Sequence, residues 1–209
     1  MSTPDHYFTA EPASADERRL IHVAIAGREV DVETAGGIFS PDHIDLGTQV
    51  LLRHLPPPAD TVLDLGCGWG PLALTAALQR PEARITAVDV NRRALDLLGR
   101  NAARLGVAGS ITIAEPSDVD ADQQFDAIWS NPPIRIGKKA LHELLATWLP
   151  RLAPGGTAYL VVQKNLGADS LMTWMSQQTG PDGSPWGAVA KLGSAKGFRV
   201  ITVTRPATT

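Results

Sequence analysis

Two short segments hold residue types that can do chemistry together. Asp64-Leu65-Gly66-Cys67-Gly68-Trp69-Gly70 sets three glycines behind a carboxylate, and Asn131-Pro132-Pro133-Ile134 sets an amide beside two prolines. Glycine lets a backbone turn sharply and approach a ligand where any Cβ would collide. About twenty residues past the glycines, Asp89 ends an apolar run, where a carboxylate can accept hydrogen bonds from ribose hydroxyls. A dinucleotide fingerprint needs a third glycine where Pro71 stands, and Asp64 suits a cation better than a pyrophosphate. A ligand with an ammonium group, a ribose and no phosphate matches this loop, which describes S-adenosylmethionine. The plainer alternative is that the glycines only let a helix pack on a strand. Asp118, in Glu115-Pro116-Ser117-Asp118, can accept a hydrogen bond from an adenine amino group or simply cap a helix.

The second segment suits an acceptor amine. An exocyclic amine on a purine is a poor nucleophile, because its lone pair is delocalised into the ring. The Asn131 side-chain oxygen and the Pro132 carbonyl can each accept an amino hydrogen, which localises the lone pair and aims it at a methyl donor. Proline fixes φ, so Pro132 and Pro133 stiffen that geometry. The competing reading is a plain proline-rich turn. Ile134 and the basic Arg135, Lys138 and Lys139 follow directly and make candidate substrate contacts. Lys164, Lys191, Lys196 and Arg199 lie in or beside later loops and can extend a phosphate-contacting surface.

These segments need a scaffold that brings them to one edge. Leu20–Ile25 and Val30–Thr34, around Ala26–Glu29, read as a β-hairpin, and about Ile44–Leu55 as a helix stopped by Pro56-Pro57-Pro58. From Asp60 strand and helix alternate. Strands are expected at Thr61–Leu65, Arg84–Val88, Ser110–Ala114, Phe125–Trp129 and Thr157–Val162. Helices are expected after Pro71, at Arg92–Leu105, Ala140–Leu152 and Ala168–Gln177. Two last strands, Gly187–Leu192 and Phe198–Thr204, are joined by Gly193–Gly197 too tightly for a crossover, so they pair antiparallel. Alternation of this kind implies right-handed crossovers and a mostly parallel sheet covered on both faces. Both chemical segments then follow strands at the sheet's carboxyl edge, where such folds bind ligands.

At 209 residues the chain fits a single domain, with residues 1–43 an N-terminal extension and 44–209 the core. Residues 1–19 are polar and read as a loosely held leader, and 179–186 as a loop. A formal charge of −3, from 19 basic and 22 acidic side chains, excludes a global polycation, so a nucleic-acid partner needs a local basic patch. Cys67 is the only cysteine and reads as a small packed side chain. The five histidines show no metal spacing, and no metal is expected. With no secretory signal in Met1–Glu11 and no run near the roughly 18 apolar residues of a membrane span, a cytoplasmic protein is expected.

The chain resembles the small-domain class I methyltransferases related to the ribosomal RNA guanine-N2 methyltransferase of the small subunit. The resemblance runs through His6-Tyr7-Phe8, Thr34–Ser40, Ile44-Asp45-Leu46-Gly47-Thr48, Asp64–Gly70, Asp89–Ala94 and Asn131–Arg135. It implies a seven-stranded class I fold and donor contacts from Phe39, Asp64, Gly66, Gly68, Asp89 and Asp118, with Cys67, Val90 and Asn131 in the same site. It also implies that Asn131 and Pro132 hold the target amine of an RNA guanine. RNA-modifying members often carry an aromatic residue after N-P-P, where this chain has Ile134, and the longer members have an additional N-terminal domain. A glutamine amide in a protein or an adenine amine in DNA are alternative acceptors. An RNA-binding assembly factor that keeps the fold is the alternative without catalysis.

Overall fold

The computed structural model describes residues 17–180 and 183–208, without the side chain of Arg135. His6-Tyr7-Phe8, most of the leader and part of the 179–186 loop lie outside the described residues. Strands β1 (Arg19–Ile25) and β2 (Arg28–Thr34) form the expected hairpin. Its turn is only Ala26-Gly27, at φ 52° and 75°, the two positive values that match the twist of paired strands.

The remaining strands build one sheet. They are β3 (Thr61–Leu65), β4 (Arg84–Val88), β5 (Ile111–Ala114), β6 (Phe125–Ser130), β7 (Leu152–Gln163), β8 (Ala188–Ala195) and β9 (Phe198–Thr204). Their order across the sheet is β5-β4-β3-β6-β7-β9-β8, parallel from β5 to β7, with β9 antiparallel to both β7 and β8. Helices α1 (Leu46–Leu52), α2 (Pro71–Gln79) and α3 (Arg92–Arg104) pack with the hairpin on one face. Helices α4 (Lys138–Trp148) and α5 (Ala168–Ser176) cover the other. β3, β4 and β6 are buried on both faces, which is why they read as unbroken apolar runs.

Three expected boundaries move, each for a local reason. α1 begins after Asp45, whose side chain caps it, and ends before Leu55, which precedes proline and is driven out of the helical region. The helix expected at Ala140–Leu152 gives way to β7 at Leu152, because Leu152 already pairs with Phe125 across a register shift, so Pro154-Gly155-Gly156 lies within the strand. β8 runs on to Ala195 through a second shift, and the turn to β9 is only Lys196-Gly197. Gly193 is a place of close approach and no turn: a Cβ there would run into the His54 ring.

Asn101, fully buried on α3, ties the hairpin to this core. Its Oδ1 accepts from the Glu33 amide at 2.6 Å, and its Nδ2 donates to the Glu33 and Trp69 carbonyls at 3.0 and 3.3 Å. Asn101→Ala strands buried backbone groups, which costs about 1–3 kcal/mol. A melting temperature lowered by on the order of 5 °C is expected for a chain of this size; an unchanged value would mean that the hairpin is held by packing alone.

Candidate active site

The chain builds outward from β3 to β4 and β5, then returns to place β6 on the other side of β3. That reversal leaves a crevice beyond the carboxyl ends of β3 and β6, where the two following loops diverge. The Ser130 hydroxyl donates to the Leu65 carbonyl at 2.7 Å and ties the two strand ends together. Both chemical segments therefore line a cavity of about 310 Å³. Phe39, Gly66, Gly68, Asp89, Val90 and Pro116 line one side. Asn131, Pro132, Pro133, Ile134, Leu166 and Phe198 line the other. A narrow branch adjoins it, sharing Phe39, Asp45, Gly66, Gly68 and Asn131 and lined also by Asp64, Cys67 and Trp69.

Gly66, Gly68 and Gly70 sit at φ 77°, 54° and 103°, so the loop turns in a region that disfavours any side chain. A Cβ on Gly66 or Gly68 would project into open space, the space a ligand would take. Asp89 fastens this loop: its Oδ2 accepts from the Gly68 amide and its Oδ1 from the Asn91 amide, each at 2.9 Å. Burial raises its carboxyl above the ordinary range, against the pull of those amides. Both carboxylate oxygens keep a further lone pair for hydroxyls entering the cavity.

Asp64 is buried at the head of the narrow branch. Its Oδ2 accepts from the Ala73 amide in the first turn of α2 at 2.9 Å, and its Oδ1 has no partner among the described residues. Burial pushes its carboxyl up to about 7, opposed by the Ala73 amide and helped by the charge of Asp89. A cation brought to that oxygen would supply the missing partner. Burial also raises the Cys67 thiol, so it stays protonated and packs as a small apolar group.

The chain between β2 and α1 is strapped along the cavity. Asn91 Nδ2 donates to the Gly37 carbonyl, Arg93 to the Gly36 carbonyl, and Trp69 Nε1 to the Ser40 carbonyl, at 2.8, 2.7 and 3.1 Å. Phe39 is held between those ties and lines both the cavity and its branch.

Asn131 is anchored from outside the motif. Its Nδ2 donates to Asp45 Oδ2 at 2.9 Å and to Thr48 Oγ1 at 3.0 Å. A carboxylate only accepts, so the amide nitrogen must face Asp45. Oδ1 is the end left over, with no hydrogen bond among the described residues. The same Asp45 oxygen accepts from the Gly47 and Thr48 amides at 2.7 and 3.2 Å, capping α1.

Some expected residues stand elsewhere. Asp118 is exposed in a short 3₁₀ turn and does not line the cavity; Pro116, two residues earlier, does. Lys138 and Lys139 are exposed in the first turn of α4, clear of the cavity wall. Lys164 and Lys196 are exposed and close together, since the Lys164 amide donates to the Gly197 carbonyl at 2.9 Å. Arg199 is engaged by Asp169 of α5. Asp45, Thr48 and Phe198 belong to the site but carry no role in the sequence analysis. Asp45 and Thr48 lie in the Ile44–Thr48 segment of the family resemblance, where the expected helix begins one or two residues too early to make Asp45 its cap; Phe198 arrives only through the pairing of β9 with β7.

Residues 29–180 match the model of the methyltransferase small domain. The chain belongs to that family. It is 31% identical over 171 residues to the protein YbxB of Bacillus subtilis, covering 79% of this chain and 85% of that one. It is also 31% identical over 202 residues to ribosomal RNA small subunit methyltransferase C of Pseudomonas paraeruginosa, covering 94% of this chain but 58% of that one. The chain thus spans little more than half the length of that larger relative. Among solved structures, the Thermus thermophilus 16S rRNA N2 G1207 methyltransferase, in complex with AdoMet and guanosine, superposes with a TM-score of 0.71. At 23% identity, over 93% of this chain and 52% of that one, it shows the shared class I fold. The family is one of methyltransferases. Among the described residues no helix is long and apolar enough to cross a membrane, and no cluster of three or more His, Cys, Asp or Glu could hold a metal ion.

The raised Asp64 carboxyl has a measurable consequence. The unfolded chain releases this proton near pH 4, about the free aspartate value, whereas the folded chain keeps it to about 7. Between those values the folded state binds more protons, so its stability falls as pH rises. Melting temperatures across this window should fall for the native chain relative to Asp64→Asn; parallel profiles would contradict the buried, unpartnered carboxylate.

Proposed function

We propose that this methyltransferase modifies the exocyclic amine of a guanine in ribosomal RNA of the small subunit, in the cytoplasm. The observation that carries the reading is Asn131: its amide nitrogen is engaged by Asp45 and Thr48, and its oxygen is left at the cavity beside the glycine loop. Support for RNA comes from the names of the larger relatives and from exposed basic side chains, Lys138 and Lys139 at the start of α4 and Lys164 and Lys196 near one another.

The cavity fits the donor: open space above Gly66 and Gly68, the Asp89 carboxylate for ribose hydroxyls, and the unpartnered Asp64 oxygen for the ammonium group. Phe39, Val90 and Pro116 offer apolar surface for the adenine, and Cys67 closes the narrow branch. Bound there, S-adenosylmethionine supplies an electrophilic methyl on a sulfonium. Asn131 Oδ1 and the Pro132 carbonyl accept the two amino hydrogens and localise the nitrogen lone pair. Pro133 keeps the loop stiff. Held this way, the lone pair would point at the methyl carbon, from which the sulfur would leave with the bonding electrons. The extra proton on nitrogen then passes to water, because the methylated amine is strongly acidic, so no dedicated base is needed. The protein's contribution is positional and electrostatic.

Asn131→Ala should lower turnover about 10²-fold or more while leaving donor affinity nearly unchanged, the cost of losing one positioned group. Equal loss of donor binding would place Asn131 in the wrong role. Asp89→Ala should weaken donor binding about tenfold or more, since a charged acceptor is lost; unchanged affinity would remove its ribose role. The acceptor itself is tested by transfer of labelled methyl to small-subunit RNA, DNA and total protein from cells lacking this gene. Label recovered as N2-methylguanosine in small-subunit RNA is the expected result. Label in a glutamine amide or in DNA adenine would overturn the choice of acceptor and keep the chemistry.

A further inference from the structure

The acceptor half of the cavity contains an aromatic ring that the N-P-P loop does not provide. A base presented to Asn131 is planar, and its faces need a flat apolar partner once it leaves its stack. Residue 134, next to Asn131 on the loop, is isoleucine and has no π face. Among the described residues, two aromatic side chains line the cavity, Phe39 and Phe198. Phe39 lies between Gly37 and Ser40, whose carbonyls accept from Asn91 and from Trp69 of the glycine loop, so it belongs to the donor half. Phe198 lines only the wide part, at the start of β9, opposite Gln163 in the register with β7.

Its place beside Asn131 is fixed by Gly47. A Cβ on that residue would stand 2.9 Å from Phe198 Cε1 and equally 2.9 Å from Asp45 Oδ2, the oxygen that holds Asn131. The ring edge and the anchor of the catalytic amide therefore converge on one point, and only a glycine leaves room for both. Leu166, half exposed, lines the same part of the cavity. The tight turn Lys196-Gly197, bound through its Gly197 carbonyl to the Lys164 amide, keeps Phe198 at the end of β9 nearest the cavity.

We propose that Phe198 is the aromatic wall against which the acceptor base lies, so that the end of β9 supplies the face that residue 134 lacks. This rests on the reading of the acceptor as a nucleic-acid base. A ring that merely filled space under Gly47 would be replaced by leucine without consequence for the substrate, whereas a stacking ring would not. Base stacking on an aromatic side chain is sequence-tolerant and contributes about tenfold or more to affinity.

The test uses the full chain with small-subunit RNA as acceptor and compares Phe198→Leu, Phe198→Tyr and the native protein. Phe198→Leu should raise the KM for RNA about tenfold with donor affinity and melting temperature preserved, and Phe198→Tyr should restore the native KM. Equal KM values for the leucine and native proteins would overturn the proposal. If leucine destabilises the chain, a Phe198→Tyr protein that folds normally but has lost RNA affinity would overturn it as well. Failure of the native protein to label RNA, with label in protein instead, would overturn the acceptor reading itself and is separable from these outcomes.

Discussion

One carboxylate oxygen, Asp45 Oδ2, takes hydrogen bonds from three donors: the Gly47 and Thr48 amides and the side chain of Asn131. The first two begin α1, and the third joins that helix to the loop after β6. An asparagine amide is nearly symmetric in shape but opposite in polarity at its two ends. A neighbour that can only accept removes the ambiguity, and Thr48 Oγ1 adds a second acceptor on the same side. The oxygen of Asn131 is thereby the end offered to the cavity. An amine-binding site needs that polarity before any ligand arrives, since a group that must first turn gains less from preorganisation.

The rest of the fold brings the two halves of the site to this point. β3 and β6 are neighbours in the sheet but far apart in sequence, and their loops part at the reversal of strand order. Asp64 and Asp89 are buried at a cost visible in their raised carboxyls. Asp89 offsets that cost with backbone amides, while Asp64 leaves one oxygen without a partner among the described residues. Buried polar atoms are satisfied almost everywhere in folded proteins, so an orphan beside a cavity marks a place for a ligand. The hairpin contributes indirectly: Asn101 holds β2, and the segment leaving β2 carries Phe39 along the cavity wall.

Local patterns made most of this legible in the sequence. The apolar runs of β3, β4 and β6, the glycine loop and N-P-P each announce themselves within a few residues, and the crossover rule places both loops at one edge. Three things escaped for physical reasons. Pro154-Gly155-Gly156 looks like a break, yet tertiary pairing of Leu152 with Phe125 makes it strand. Gly193 looks like a turn, yet it is glycine because His54 approaches it. Phe198 looks like an ordinary strand residue, because only the pairing of β9 with β7 brings it to the cavity. Asp118 shows the converse: its acidity and position fit an adenine contact, but the short 3₁₀ turn at Pro116 exposes it and leaves the proline on the wall.

If Asp45 orients Asn131 for the acceptor amine, Asp45→Ser is the variant that must show it. Serine keeps a capping oxygen for α1 while withdrawing the carboxylate from Asn131. The variant's kcat should be lowered about tenfold, with donor affinity and melting temperature close to native, because one charge-assisted hydrogen bond that positions the amide is lost. A variant that folds, binds donor and turns over at the native rate would contradict it.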